Sequence, residues 1–194
     1  LFFLPSFLAK LEYRNRCIYK HSIKYSSLKR IGILSDTHGH HDEMIAHNLS
    51  QCDEIWHIGD IGNVELLDIY QAIKPLVAVY GNIDGHEIRA SIPLKRRFVI
   101  EDFVVLMTHI GGYPGRYDQS IRNEVKFNPP DIFISGHSHI LKIVPDKKLN
   151  LLHINPGSAG KYGLHKIRTM VIMELDKKKI LDVKVIELGL RGVI

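Results

Sequence analysis

Cysteine is scarce in this chain: Cys17 and Cys52 are the two in 194 residues. That excludes a disulfide framework and a thiolate metal cage, and it suits a reducing cytoplasm. Long apolar runs are missing as well. Residues 1–9 are apolar but far short of the ~20 residues that span a bilayer. Basic residues follow this run instead of preceding it, so it does not read as a signal peptide. No linker, repeat or low-complexity stretch interrupts the remainder, and no membrane partner is expected. The hydrophobic share of 45% and charged share of 24% are those of one ordinary globular core.

A basic footprint is also absent where it would matter. The net charge of +5 is uneven: residues 1–30 carry seven Lys or Arg against Glu12 alone, a net of +6. Residues 31–194 carry nineteen bases against twenty acids, a net of −1. Without a cationic surface on the body, nucleic acid is not an expected partner. Residues 1–28 are read as a non-essential leader and 29–194 as the functional domain.

What the body does have is a recurring pattern of a buried strand followed by oxygen or imidazole donors. Strands expected at 31–35, 55–58, 76–80, 103–108 and 132–135 lead into Asp36-x-His38, Gly59-Asp60, Gly81-Asn82, His109 and Gly136-His137-Ser138-His139. Each fragment alone is an ordinary turn, with Gly59 and Gly81 supplying φ > 0. Together they point at one crevice, because open α/β sheets place reactive groups beyond the carboxyl ends of their strands. Asp36, His38, Asp60 and His139 can supply one cation. Asn82, His109 and His137 can supply a second, with Asp60 shared as a bridge. A shared carboxylate holds two cations ~3.5–4 Å apart, which suits displacement at phosphorus by a metal-bridging hydroxide. Asp60, Asn82 and His109 would then be catalytic through the metals and the phosphate they position. A nitrogen and oxygen donor set without sulfur favours Mn²⁺ and also accommodates Fe²⁺, Ni²⁺ or Zn²⁺.

Helices are expected at 42–50, 63–73 and 117–127, and further strands at 97–100, 141–144, 151–154, 168–175 and 180–188. The first three strands with their helices form βαβαβ, a parallel sheet. His40, His41, His57 and His153 neighbour ligand segments and are read either as partners of the ligands or as ordinary core and surface histidines. Arg116, in the glycine-rich stretch after His109, is read either as a phosphate contact or as a solvated loop residue.

The chain resembles the calcineurin-like metallophosphoesterases, and among them the small YfcE-type phosphodiesterases, from about Lys29 onward. Ser35-Asp36-Thr37-His38-Gly39, Gly136-His137-Ser138-His139 and Asn155-Pro156-Gly157-Ser158 carry the resemblance. It implies a dinuclear site with the partition above, and an α/β fold: a four-layer α-β-β-α sandwich of two mixed β-sheets flanked by helices. It also implies hydrolysis of a small phosphoester, most readily a diester. Two departures argue against a phosphoprotein phosphatase. No Arg follows Gly59-Asp60-Ile61-Gly62-Asn63-Val64, and Ile83 stands where that group has a leaving-group His. His86 is the substitute acid to consider, against the commoner exposed loop histidine. Two other functions stay open: a catalytically silent interaction scaffold of the same fold, and a nuclease of the same superfamily.

Overall fold

The computed structural model describes residues 28–192. The expectation for the leader therefore lies outside the described residues. In chain order the elements are β1 (Lys29–Leu34), α1 (Glu43–Ser50), β2 (Glu54–Ile58), α2 (Val64–Ile73), β3 (Leu76–Val79), α3 (His86–Ser91), β4 (Lys95–Ile100) and β5 (Phe103–Thr108). They continue with β6 (Gly112–Tyr113), β7 (Arg116–Tyr117), α4 (Gln119–Phe127), β8 (Ile132–Ile134), β9 (Lys142–Asp146), β10 (Leu151–Asn155), β11 (Ile167–Asp176) and β12 (Lys179–Leu190).

One sheet has the order β12-β11-β1-β2-β3 and the other β4-β5-β8-β10-β9. In the first, β1, β2 and β3 run parallel while β11 and β12 run antiparallel. In the second, β5, β8 and β10 are parallel, with β4 and β9 antiparallel at the edges. Both sheets are mixed, as the resemblance implies.

Strand alternation creates the four layers, because successive side chains leave a strand on opposite faces. Ile31, Ile33, Trp56 and Ile58 join Val105, Met107, Ile132 and Ile134 in an apolar cluster between the sheets. Leu34 and Ile55, of opposite parity, meet Ile45, Leu49, Leu66 and Tyr70 under the helices of the first sheet. Leu106 and Phe133 meet Ile121 and Val125 of α4 on the far side. Cys52 is buried in the helix-side cluster, and burial raises its thiol pKa to about 11, so it stays a protonated apolar group.

The helix starts follow local capping. Asp42 accepts from the Ile45 N–H and Asn63 from the Leu66 N–H, each satisfying a donor that the first turn leaves free. Two expectations need correcting. The third expected helix begins at Gln119 rather than 117, because Tyr117 pairs with Gly112 in a small hairpin and Asp118 caps the helix. The chain also has a six-residue helix α3 that the sequence pattern did not suggest. Its N-cap is Gly85, which offers no capping side chain. Arg89 supplies the anchoring instead, donating to the carbonyls of Asp84 (2.7 Å) and Asn82 (2.9 Å).

Candidate metal centre

The five donor-bearing segments converge at the carboxyl ends of β1, β2, β3, β5 and β8. Asp36, His38 and His139 form one group of potential ligands, and Asp60, His109 and His137 form a second. Asn82 adjoins the second group, its Oδ1 lying 3.1 Å from His109 Nε2. All seven residues marked out by the sequence therefore come to one place. His86 does not join them. It is exposed at the start of α3, beside a depression formed with Gly62, Asn63 and Glu65 and lined by none of the seven.

Asp60 reaches both groups. Its Oδ1 lies 3.3 Å from His109 Nε2 and its Oδ2 3.9 Å from His38 Nε2. Asp36 Oδ1 is 3.1 Å from His139 Nε2 and 3.9 Å from His109 Nε2. The backbone steadies both carboxylates: Asp36 Oδ2 accepts from the His137 N–H, and Asp60 Oδ1, besides facing His109, accepts from the Ile83 N–H.

The donors fit a cation better than they fit each other. Asp36 Oδ1 and His38 Nε2 are buried without a hydrogen bond, although buried polar atoms are rarely left unpaired. His109 Nδ1 lies 2.7 Å from the Ile58 carbonyl, which can only accept, so Nδ1 carries a proton. Its Nε2 then faces Asn82 Oδ1 and Asp60 Oδ1, and these lone pairs repel unless positive charge stands between them. That charge is a proton or a metal. Burial alone would lower the His109 pKa, but the Asp60 hydrogen bond and the nearby Asp36 and Asp60 charges outweigh it and raise the pKa. Burial opposes ionisation of Asp60 too, yet His109 holds its carboxyl below the usual range. His38 is shifted the other way, downward, by burial against the pull of Asp60 and Asp36. A neutral His38 is ready to ligate.

The backbone around these donors is strained. Asp36, His38, Asp60, His137 and His139 all have left-handed φ, between 50° and 64°. Such a conformation costs roughly 1–2 kcal/mol per non-glycine residue and clusters where function needs it. The expectation that the glycines make these turns is correct for Gly59, at φ 86°. It is wrong for Gly81, which is needed for close approach: a Cβ there would collide with the Asp60 carboxylate and backbone nitrogen.

The roles of several supporting residues were not legible in the sequence. Asp84 is buried and accepts from the Gly62 N–H (2.9 Å) and the Gly81 N–H (2.7 Å), stapling the Asp60 and Asn82 loops together. Asn155 donates to the Gly136 carbonyl (2.9 Å), and Ser158 donates to the Asp36 carbonyl (3.0 Å). The Asn155-Pro156-Gly157-Ser158 motif is thus a strap holding two ligand loops. Tyr162 and His165 flank the first group, with ring centroids 5.7 Å from His38 and 5.3 Å from His139.

The four neighbouring histidines do not behave alike. His40 lies between Asp42 (3.1 Å) and Arg168 (2.7 Å), bracing the start of α1. His41 packs edge-on against Tyr70. His57 is fully buried, 2.8 Å from Thr37 Oγ1, and burial pulls its pKa to about 3. Burial likewise lowers His153 to about 4. Above the unfolded pKa of 6.5 both are neutral folded or unfolded and cost nothing. Below it the unfolded chain binds protons that the fold refuses, so stability falls as the pH drops toward 4. Each contributes ~1.4 kcal/mol per pH unit in that window. Urea unfolding of wild type and His153→Gln at pH 7, 6 and 5 should show a shallower decline in the variant. Identical pH slopes would contradict this assignment.

Comparison with known proteins agrees with the geometry. Residues 30–178 match the calcineurin-like phosphoesterase superfamily domain. A probable metallophosphoesterase of Methanothermobacter thermautotrophicus is 31% identical over 166 residues, covering 82% of this chain and 92% of that protein. The structure of an archaeal phosphodiesterase superposes with a TM-score of 0.66 at 26% identity, covering 82% and 99% of the two chains. Vps29 of Entamoeba histolytica, solved as a Zn²⁺ complex, shares the fold with a TM-score of 0.64 at 18% identity, covering 82% and 98%. With three-quarters of its length matching the domain and its candidate metal-ligating residues gathered at the strand ends, this chain belongs to the calcineurin-like phosphoesterase superfamily.

Proposed function

We propose that the protein hydrolyses phosphoesters, most readily diesters, at a centre of two divalent cations. The observation that carries this reading is the Asp60 carboxylate, whose two oxygens reach one donor group each. Asp36, His38, Asp60 and His139 would hold one cation, and Asp60, Asn82, His109 and His137 the other. When bound, a cation pair neutralises phosphate charge and brings the pKa of water toward ~7, so that hydrolysis runs at neutral pH. The chain's part is positioning. Asp84 and Arg89 fix the loop bearing Asn82, while the strap at 155–158 fixes those bearing Asp36 and His137. Mn²⁺ is the proposed metal, on the donor chemistry.

The diester preference is supported by the lack of an Arg after Asp60 to grip a dianionic monoester. The name phosphodiesterase, carried by an archaeal sequence relative and by a solved archaeal structure, supports it as well. Likeness to Vps29 leaves the scaffold reading its place, but that likeness concerns the fold, and all seven donors are present here. No helix among the described residues is long and apolar enough to cross a membrane. We propose the cytoplasm as the compartment, from the sparse cysteine.

The test is release of p-nitrophenolate from bis(p-nitrophenyl) phosphate and from p-nitrophenyl phosphate, with and without added Mn²⁺. Metal-dependent turnover with the diester ahead is the expected result. No turnover of either ester after metal addition would favour the scaffold.

A further inference from the structure

A cavity of about 340 Å³ opens beside the second donor group, sharing His137 with it. The β6–β7 hairpin contributes Tyr113 and Arg116, the loop after β8 contributes Ile140, and β9 and β10 contribute Lys142 and His153. None of these has a part in the centre described above.

His153 is 1% exposed and lies with Nε2 3.1 Å from Ser135 Oγ. The Ser135 hydroxyl donates to the Gly112 carbonyl, so its oxygen accepts from the ring, and Nε2 carries the imidazole proton. That leaves Nδ1 a bare acceptor, buried and without a hydrogen bond. Burial keeps the ring neutral near pH 7, so a second proton does not fill the position. A donor from outside the protein would.

The charges point the same way. Lys142 Nζ sits 3.8 Å above the Tyr113 ring, and among the described residues neither Lys142 nor Arg116 is paired with a carboxylate. Asp118 also lines the cavity, but its Oδ1 is turned onto Ser120, accepting from the backbone N–H (2.9 Å) and the hydroxyl (2.6 Å). Two cations against one occupied carboxylate leave the lining positive. Tyr113 and the exposed Ile140 supply apolar surface for the carbon chain of a bound group.

We propose that this cavity binds one ester group of the substrate and selects a group bearing an anionic substituent and an O–H or N–H donor. Lys142 and Arg116 take the anion, and His153 Nδ1 takes the donor. This rests on reading the neighbouring centre as a phosphodiesterase.

The experiment compares p-nitrophenyl diesters of butanol, 4-hydroxybutyrate and 3,4-dihydroxybutyrate, the last esterified at its terminal hydroxyl. The carboxylate should raise kcat/KM at least ~10-fold over the butyl diester, the scale of one charge-assisted contact. The C3 hydroxyl should raise it further. In Lys142→Met/Arg116→Met the carboxylate ratio should collapse toward one, and in His153→Phe the hydroxyl gain should vanish. Equal kcat/KM for the butyl and carboxylate diesters in wild type, or ratios that survive these substitutions, would overturn the proposal. If no diester is hydrolysed, the reaction assignment fails by itself. Calorimetric binding of 4-phosphooxybutyrate against butyl phosphate then decides the cavity. Tighter binding of the former, lost in the double variant, sustains it, and equal affinities reject it.

Discussion

Asp60→Asn should lose at least one metal equivalent and nearly all turnover while remaining folded. Asparagine keeps the shape and can still accept the Ile83 N–H through its carbonyl oxygen, which in wild type meets Asp60 Oδ1 at 3.1 Å. It removes the charge of the carboxylate whose two oxygens face His38 and His109. Both coordination spheres weaken at once, and loss of a single electrostatic stabiliser already lowers kcat by ~10²–10³-fold. The three apolar clusters do not include Asp60, so cooperative unfolding should persist. Metal content by mass spectrometry, kcat and a thermal melt check the three parts. Near-normal activity in this variant would sink the bridging role.

The second large effect concerns leaving groups. Ile83, 47% exposed, occupies the position after Asn82, and it has no proton to give. Asp84 cannot serve beside it, because both its oxygens are taken by the Gly62 and Gly81 N–H groups. General acid help is worth ~10²–10⁴-fold where it exists. Aryl diesters, whose phenolates leave unaided, should therefore exceed alkyl diesters by about that factor beyond their intrinsic difference. The measurement is kcat/KM across esters of graded leaving-group pKa, in wild type and His86→Ala. Wild type should be steep, and His86→Ala equally steep. A flat wild-type profile that steepens in His86→Ala would make His86 the donor after all.

The strands were legible because their residues obey period-two burial. Ile31 and Ile33 alternate with Leu34 between two apolar layers, and every ligand follows such a run. Helices α1 and α2 were legible through Asp42 and Asn63, whose capping chemistry is local. Helix α3 was not, since Gly85 gives no capping signal and Arg89 acts on carbonyls five to seven residues back. The β6–β7 hairpin was hidden by its length, two residues a side. The candidate donors were legible because donor types announce themselves, but the conformations of Asp36, His38, Asp60, His137 and His139 were not. A left-handed φ at a non-glycine residue is imposed by tertiary contacts, as where Asp36 N–H donates to the Gly59 carbonyl and His38 N–H to the Asp60 carbonyl. Nothing in the local sequence marked Asp84. Its role as a staple depends on Gly62, 22 positions away.

The most direct test is titration of chelator-stripped protein with Mn²⁺, following bound metal and bis(p-nitrophenyl) phosphate hydrolysis in the same samples. Two equivalents should bind per chain, with hydrolysis negligible before addition and reaching its plateau as the second site fills. Hydrolysis undiminished after stripping, or full activity at a single bound equivalent, would contradict a centre in which Asp60 serves two cations.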